Sequence, residues 1–352
     1  MHLYIHIPFC QSKCHYCAFT SLRANGFEEA YFKALLEDLR FHFEKLCLKK
    51  KSVKTLFIGG GTPSVIEISL YERLFDFLTP YLAEFAECSI EANPHSGNEK
   101  WLKGLKALGI NRISFGVQSF DEQKLAFLGR IHNAKAIFKS LESAKNLGFE
   151  NVNVDMIYDS KLDTKKMLDF ELEKLKKLAQ IGLSHISAYH LTLEKNTAFF
   201  KHKNFKKNAP NLMKYFIRGI ENLGFLQYEV SNFGRICKHN LAYWQGVEYL
   251  GCGLSAVSFY DKKRFYTHKN LKAYLKEPNF RHEEHLSASN LLLEHLFLGL
   301  RSCVGVDEGR LSPSQRQKAL FLVQKKRLFY KNGRFFNANL MLSDEIALFL
   351  SE

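Results

Sequence analysis

Three cysteines stand close together near the start of the chain. They are Cys10, Cys14 and Cys17, within the stretch HIPFCQSKCHYCAF at residues 6–19. A zinc cage or a ferredoxin-type cluster takes four protein ligands, one more than these thiols supply. Three thiolates around a four-iron, four-sulfur cluster would instead leave one iron open to a ligand with an amine and a carboxylate. The spacing therefore predicts a metal centre with one position that the protein does not fill.

Two other interpretations of these cysteines stay open at this point. A zinc ion could bind the three thiols together with His15 or with a distant ligand. The cysteines could also be structural, although three polarizable thiols seldom collect at this spacing by chance. The other five cysteines are scattered, and the chain is too large for a disulfide-stapled miniprotein, so we expect a reducing cytoplasm.

Short β-branched and aromatic runs alternate with amphipathic helical stretches in the first two thirds of the chain. Strands are predicted at residues 3–9, 53–60, 87–93, 111–120, 151–158 and 185–194, and helices for example at 27–46 and 133–149. This alternation is typical of a parallel sheet covered by helices. Six units are too few for a closed eightfold barrel, so we predict an α/β fold with an open, partial (β/α)6 TIM-like barrel.

Polar and glycine-rich motifs follow the ends of these strands. The cysteines follow the first strand, GGGTPS (59–64) the second, EANP (91–94) the third and GVQSF (116–120) the fourth, and Asp155 lies within the fifth. The carboxyl ends of parallel strands meet on one rim, where α/β proteins collect their chemistry. We therefore expect these motifs to surround one site.

The alternation of strands and helices weakens after about residue 200. Residues 1–205 are predicted to form the partial barrel. Residues 206–284 form an extension with a helix at 209–223 and the aromatic motif HNLAYW at 239–244. Residues 285–352 form a small C-terminal α+β domain with helices at 287–302 and 343–351.

The stretch YIHIPFCQSKCHYCAF (4–19) resembles the cluster loop of the radical S-adenosylmethionine (SAM) proteins. The resemblance extends through nearly the whole chain, to the branch that contains coproporphyrinogen III dehydrogenases and heme chaperones. It implies that Cys10, Cys14 and Cys17 bind a [4Fe-4S] cluster whose open iron takes the amine and carboxylate of SAM. It also implies SAM contacts at Tyr4, Tyr16, Gly60, Gly61, Thr62, Glu91, Gln118, Arg130 and Asp155.

Chemical reasons support these implied SAM contacts. Glycines let backbone groups approach a ligand closely. Arg130 could pair with the SAM carboxylate, and acidic groups could accept hydrogen bonds from the ribose hydroxyls or the amine. Taken singly, each polar residue could instead be a rim ion pair or a helix cap, and Tyr4 could be ordinary strand packing.

Several features favour the heme chaperones over the dehydrogenases. The dehydrogenases carry a further cysteine where this chain has Phe19, and they have a substantial extension before the cluster, whereas Cys10 is almost at the start here. HNLAYW matches the chaperones' HNxxYW motif, and YEVSNF (228–233) and HISAYHLTLEKNTAF (185–199) also resemble that branch. The implied partners are heme, acceptor hemoproteins and, if SAM is cleaved, an electron donor. The alternative function is radical oxidative decarboxylation of coproporphyrinogen III.

The HNLAYW motif supplies the predicted heme contacts. His239 could offer a neutral imidazole to heme iron, and Tyr243 and Trp244 could offer flat apolar surface to the porphyrin. The alternative is an aromatic packing cluster in which His239 is hydrogen-bonded in the core.

The chain also departs from these relatives at two places. Asp159, Ser160 and Lys161 replace the Gly-Leu-Pro of the usual IYGLPGQ motif, which puts SAM affinity or turnover in question. Val257 stands in GCGLSAVS where a histidine is usual.

The composition is that of a globular protein, with 352 residues, 46% of them hydrophobic and a net charge of +14. Basic residues are spread along the chain and no basic motif of a nucleic-acid fold is present, so no nucleic-acid partner is expected. The charge suits a solvated surface, heme propionates or, at most peripherally, an anionic membrane. No signal peptide or membrane span is expected, which again favours the cytoplasm.

Overall fold

The six predicted barrel strands lie side by side in one sheet. The computed structural model describes residues 1–24 and 26–352. Its strands are β1 His2–Ile7, β2 Phe9–Cys10, β3 Leu22–Arg23, β4 Val53–Gly60, β5 Leu82–Ala92, β6 Arg112–Gln118, β7 Asn151–Tyr158, β8 His185–His190, β9 Asn232–Gly234, β10 Tyr249–Cys252, β11 Val257–Tyr260, β12 Lys263–Tyr266, β13 His282–His285, β14 Val306–Asp307, β15 Leu328–Lys331 and β16 Arg334–Asn337. Its α-helices are α1 Glu28–Lys45, α2 Ile68–Leu78, α3 Glu99–Ala107, α4 Glu122–Leu128, α5 Ala134–Asn146, α6 Lys165–Ile181, α7 Pro210–Asn222, α8 Lys238–Trp244, α9 Leu271–Lys276, α10 Ala288–Leu300, α11 Pro313–Gln324 and α12 Ser343–Ser351.

The large sheet has the strand order β13-β12-β11-β10-β1-β4-β5-β6-β7-β8-β9. Strands β1, β4, β5, β6, β7 and β8 are parallel, each paired with the next. This confirms the six predicted strand–helix units. β10 also pairs parallel with β1, whereas β9 and β11 to β13 run antiparallel to their neighbours, so the sheet is mixed and open.

Local sequence explains where the crossover helices begin. Asn98, Asp121, Asn133 and Thr164 precede α3, α4, α5 and α6, and each side chain accepts a hydrogen bond from a backbone N–H of the first turn. Such caps satisfy donors that a helix leaves free at its start. The connections after β5, β6 and β7 therefore reach their helices by short polar turns, which leaves the strand ends on one rim.

The extension continues the sheet at both edges. β9 pairs with β8, and β10 to β13 extend the sheet from β1. Buried Asp38 of α1 accepts hydrogen bonds from Gly253 N–H and the Tyr274 hydroxyl at 3.0 Å each, and it pairs with Arg281 at 2.5 Å. Helix α1 of the barrel is therefore fixed to the extension by a buried ion pair.

The C-terminal helices and strands pack around their own apolar cluster, which includes Leu296, Leu300, Val306, Phe335 and Leu350. Helices α10 and α11 pack against the three-stranded sheet β14-β16-β15, and α12 packs against both helices. This agrees with the α+β composition predicted for 285–352, and the three domain boundaries stay predictions. No helix in the described residues has both the length and the apolarity to cross a bilayer.

Candidate cluster and cofactor site

The motifs that follow the parallel strands surround one cavity of about 460 Å³. This volume lies within the range of small-molecule sites. The predicted residues that line it are Cys10, Cys14, Tyr16, Cys17, Gly60, Gly61, Thr62, Glu91, Gln118, Arg130 and Asp155. The structure thus brings the three cysteines and eight of the nine predicted SAM contacts to one rim.

The cysteine loop follows β1, and its three thiols are half-buried. Cys10 Sγ accepts a hydrogen bond from the Thr62 hydroxyl at 3.3 Å, and Cys14 Sγ accepts one from Arg130 Nη1 at 3.4 Å. Burial raises the pKa of the Cys10 and Cys17 thiols. Bound metal cations would supply the positive charge that holds these groups as thiolates.

The donor set fits a cluster of several irons. His15, the further ligand considered for zinc, donates from Nδ1 to the Phe127 carbonyl at 2.9 Å. In the part of the chain that the structure describes, no three His, Cys, Asp or Glu side chains are arranged to hold a single metal ion. All three thiols line one cavity, and cysteine thiolates are the usual ligands of iron–sulfur clusters.

Gly60 at the end of β4 and Gly61 just after it leave room for the segment that leads into the cysteine loop. Gly60 has φ +114°, and a Cβ there would lie 2.5 Å from the His6 ring. A Cβ at Gly61 would lie 2.7 Å from the Phe9 carbonyl oxygen, and the Gly61 N–H donates to the Ile7 carbonyl at 2.8 Å. These contacts give a reason for the glycines that differs from the expected approach to a ligand. They let β4 lie against the start of the cysteine loop.

Two carboxylates, one on β5 and one on β7, line the cavity. Glu91 accepts a hydrogen bond from the Gly60 N–H at 3.0 Å. Asp155 accepts from the Asn153 amide at 2.8 Å and from the Ser114 hydroxyl at 3.2 Å. Burial, together with the nearby Asp155, raises the pKa of Glu91 to about 7, and burial also raises the pKa of Asp155. A cationic ligand would favour the ionised form of both carboxyls.

Arg130, just after α4, joins three parts of the rim. Besides Cys14, its guanidinium donates to the Gly116 carbonyl at 2.5 Å and to the Asn93 side chain. Gln118 at the end of β6 is buried with φ +67°. The guanidinium therefore couples the cysteine loop to the ends of β5 and β6.

Sequence reasoning missed several polar residues in the cavity wall. They are Asn93, Arg112, Ser114, Asn153, Ser187, Tyr189 and Asn240. A usable signal was present on two strands, since alternate residues of a strand share a face. Ser114 precedes Gly116 of the GVQSF motif by two residues, and Asn153 precedes Asp155 by two.

Tyr4 lies in the wall of a second, neighbouring cavity of about 340 Å³. Its hydroxyl is 3.0 Å from His6 Nδ1, and its ring stacks on Phe57. Phe19 lines both cavities and is 68% exposed, so the two cavities adjoin at the end of the cysteine loop. Contact between Tyr4 and SAM stays a prediction.

The HNLAYW motif forms most of α8, beside β4. His239 is 1% exposed, with Nδ1 2.7 Å from the Thr55 hydroxyl and Nε2 2.9 Å from the Tyr243 hydroxyl. Burial lowers the pKa of His239 to about 3. Both ring nitrogens are engaged in this conformation, so heme ligation by His239 stays a prediction that requires Tyr243 to leave Nε2. Tyr243 itself lines the second cavity, and Trp244 is half-buried.

Comparison with known proteins identifies the family. A model of the radical SAM superfamily matches residues 4–170. Heme chaperone HemW of Lactococcus lactis subsp. lactis is 35% identical, over 86% of this chain and 82% of that protein. HemW of Bacillus subtilis is 32% identical over 88% and 85%, and HemW of Escherichia coli K12 is 36% identical over 76% and 73%.

Among solved structures, coproporphyrinogen III oxidase (HemN) from Escherichia coli, a radical SAM enzyme, matches with a TM-score of 0.80. It is 22% identical, over 99% of this chain and 89% of that one. The likeness confirms the predicted radical SAM α/β fold. The extent and identity of the HemW matches show that the chain belongs to the HemW family of radical SAM proteins.

Proposed function

We propose that this protein is a heme chaperone that carries a [4Fe-4S] cluster and SAM, binds heme and delivers it to acceptor hemoproteins. The observation that carries the proposal is its similarity to curated heme chaperones over more than three quarters of the chain. The cysteine-lined cavity and the nearby exposed Phe19 support it. The eight cysteines are free thiols, as suits a cytoplasmic protein.

Cys10, Cys14 and Cys17 would hold the cluster. When bound, it supplies an electron that can cleave SAM, and an electron-donor protein would then be a further partner. The protein's own groups prepare this site. Thr62 and Arg130 donate hydrogen bonds to two of the sulfurs and so favour their thiolate forms.

The remaining rim would bind SAM. Glu91 and Asp155 are two half-buried carboxyls in one wall, and each ionises more readily when a cationic ligand enters. Arg130 is the basic partner for a ligand carboxylate, because a guanidinium presents several donors in a fixed plane. The positive charge of SAM would thus lie near the two carboxylates, and its carboxylate would lie near Arg130.

Heme would lie against the second cavity, where the cysteine loop meets α8. Phe19, Tyr243 and Tyr249 supply aromatic surface there, and Val257 adds an aliphatic side chain. A porphyrin is flat and largely apolar, so aromatic side chains suit its faces. The net charge of +14 favours its anionic propionates in a general way.

Anaerobic reconstitution and heme titration test the proposal. We expect iron and sulfide in a four-to-four ratio per chain, a cluster spectrum that changes when SAM is added, and saturable heme binding. Phe19→Ala should weaken heme binding, whereas Phe329→Ala, an exposed phenylalanine in the C-terminal domain, should not. Stoichiometric zinc in place of iron, or conversion of coproporphyrinogen III with consumption of SAM, would contradict the proposal.

A further inference from the structure

The loop at residues 159–161, which departs from the usual IYGLPGQ motif, is hydrogen-bonded to a later basic segment. This segment, residues 199–209, we call the strap. Asp159 has φ +66°, and its carbonyl and Oδ1 accept the N–H groups of Lys207 at 2.9 Å and Ala209 at 3.0 Å. Lys161 N–H donates to the Phe205 carbonyl at 2.8 Å. Loop and strap therefore form one hydrogen-bonded unit.

A buried ion pair fixes the shape of this loop. Lys124 Nζ of α4 lies 2.6 Å from Asp163 Oδ1, and both side chains are 1% exposed. Asp163 Oδ2 accepts from the N–H and hydroxyl of Ser160 at 2.7 and 2.8 Å, and the Asp163 carbonyl accepts from Lys207 Nζ at 2.6 Å. These bonds hold the loop without the glycine and proline of the usual motif.

The strap closes an aromatic cluster beneath the loop. The Phe199 ring centroid lies 4.7 Å from that of Phe127 and 5.0 Å from that of Phe205. The Lys161 ammonium lies 4.1 Å from the Phe205 centroid and 5.1 Å from that of Phe127. Cation–π attraction of this kind stabilises the contact between the loop and the strap. Phe199 is 2% exposed, so it is the buried centre of the cluster.

This aromatic cluster holds the cysteine loop from two sides. On one side, the Phe199 N–H donates to the His15 carbonyl at 3.2 Å, and the two rings lie 5.8 Å apart. On the other side, His15 donates from N–H to the Leu128 carbonyl at 3.1 Å and from Nδ1 to the Phe127 carbonyl at 2.9 Å. Gly129, with φ +75°, leaves room for this ring, since a Cβ there would lie 3.0 Å from it.

We propose that Phe199 and Lys161 are positioning residues for the iron–sulfur cluster. His15 lies between Cys14 and Cys17 in the chain, so fixing its backbone and ring restricts the conformations that these two ligands sample. Groups that orient metal ligands from outside the ligand set commonly change metal affinity when they are removed. The inference rests on the iron–sulfur cluster of the proposed function and does not depend on heme binding.

A pair of adjacent phenylalanines provides the first test. Phe199→Ala removes the buried ring, and Phe200→Ala removes its neighbour, which is 43% exposed. Each variant is reconstituted anaerobically, and the visible cluster absorption is followed after addition of an iron chelator. We expect Phe199→Ala to lose iron about tenfold faster than wild type, Phe199→Leu to recover part of the difference, and Phe200→Ala to match wild type.

Lysine variants keep the test valid if Phe199→Ala does not fold. Lys161→Met keeps the length of the side chain and removes its charge, and Lys165→Met does the same at a lysine that lies over Tyr215 instead. We expect faster iron loss in Lys161→Met alone, with an unfolding temperature of the metal-free chain close to that of Lys165→Met. Wild-type rates of iron loss in both Phe199→Ala and Lys161→Met would overturn the inference. A wild-type chain that takes up no iron would contradict the proposed function as well.

Discussion

Glu91 shows at the scale of one residue how the fold prepares the cavity for a cation. Its carboxyl lies half-buried on β5 near Asp155, and loss of solvent together with that neighbour raises its pKa to about 7. In the folded protein without ligand, the raised pKa means that Glu91 favours its protonated form. The contribution of Glu91 to the free energy of unfolding therefore decreases as pH rises from the ordinary pKa of a glutamate towards 7. A bound cation reverses that preference, because it favours the carboxylate.

We therefore predict that SAM binds more tightly as pH rises from 6 to 8. Below the pKa of Glu91, binding must displace a proton, which weakens affinity by up to about tenfold per pH unit. Glu91→Gln should flatten this dependence. Equilibrium dialysis of SAM against the reconstituted protein measures it, and S-adenosylhomocysteine, which lacks the sulfonium charge, is the control ligand. An equal pH slope in wild type and Glu91→Gln would contradict this role.

The site residues that can be predicted from the sequence are those whose type and spacing indicate a particular kind of site. Three cysteines within eight residues indicate a metal centre on their own. Asn93 carries no such signal, since a single polar residue after a strand also serves as an ordinary turn residue. Its role is visible only in the folded protein, where the Arg130 guanidinium donates a hydrogen bond to its side chain.

Among the secondary-structure elements, the barrel strands could be predicted from the sequence and the strands of the extension could not. The barrel strands are predictable because their apolar runs are long and each is followed by a helix, although β5 begins at Leu82, five residues before the predicted start at 87. The strands of the extension, β9 to β13, are three or four residues long and were not recognised. Their pairing joins β1 to β10, about two hundred and fifty residues apart in sequence, and local patterns do not encode such contacts.

The end of β4 gives a prediction at this scale. Gly60→Ala would place a Cβ against the buried His6 ring in a left-handed conformation, so we expect a loss of about 3 kcal/mol in the free energy of unfolding. Gly109→Ala is the matched control, because Gly109 has φ +92° but open space around it. Its loss should be about 1 kcal/mol. Denaturant unfolding of both variants checks the difference, and equal losses would show that the His6 contact contributes nothing.

The whole molecule depends on contacts between segments that are distant in sequence. Asp38 of α1 pairs with Arg281 of the extension, and both side chains are nearly inaccessible. The carboxylate also bonds the Gly253 N–H, beside the strand that extends the sheet from β1. One buried charge thus connects a barrel helix, the new sheet edge and the chain before β13.

We predict that Arg281→Met lowers the free energy of unfolding by about 3–5 kcal/mol, because it removes the arginine partner of the buried Asp38 carboxylate. The control is Arg73→Met, which breaks the exposed pair with Glu29. Solvent screens that pair, so its loss should hardly change stability. Urea unfolding of the metal-free variants measures both effects, and a small loss in Arg281→Met would remove the ion pair as an anchor of the extension.

The rate of heme transfer to an acceptor decides whether this protein is a heme chaperone. The reconstituted protein, loaded with one equivalent of heme, is mixed with an excess of a heme-depleted b-type acceptor, and heme arrival is followed by absorbance. Passive heme release is measured separately with an apoglobin trap. A heme chaperone should deliver heme faster than it releases heme to the trap, at a rate that saturates with acceptor concentration. Arrival at the passive rate for every acceptor, or a protein that retains no heme, would contradict the account.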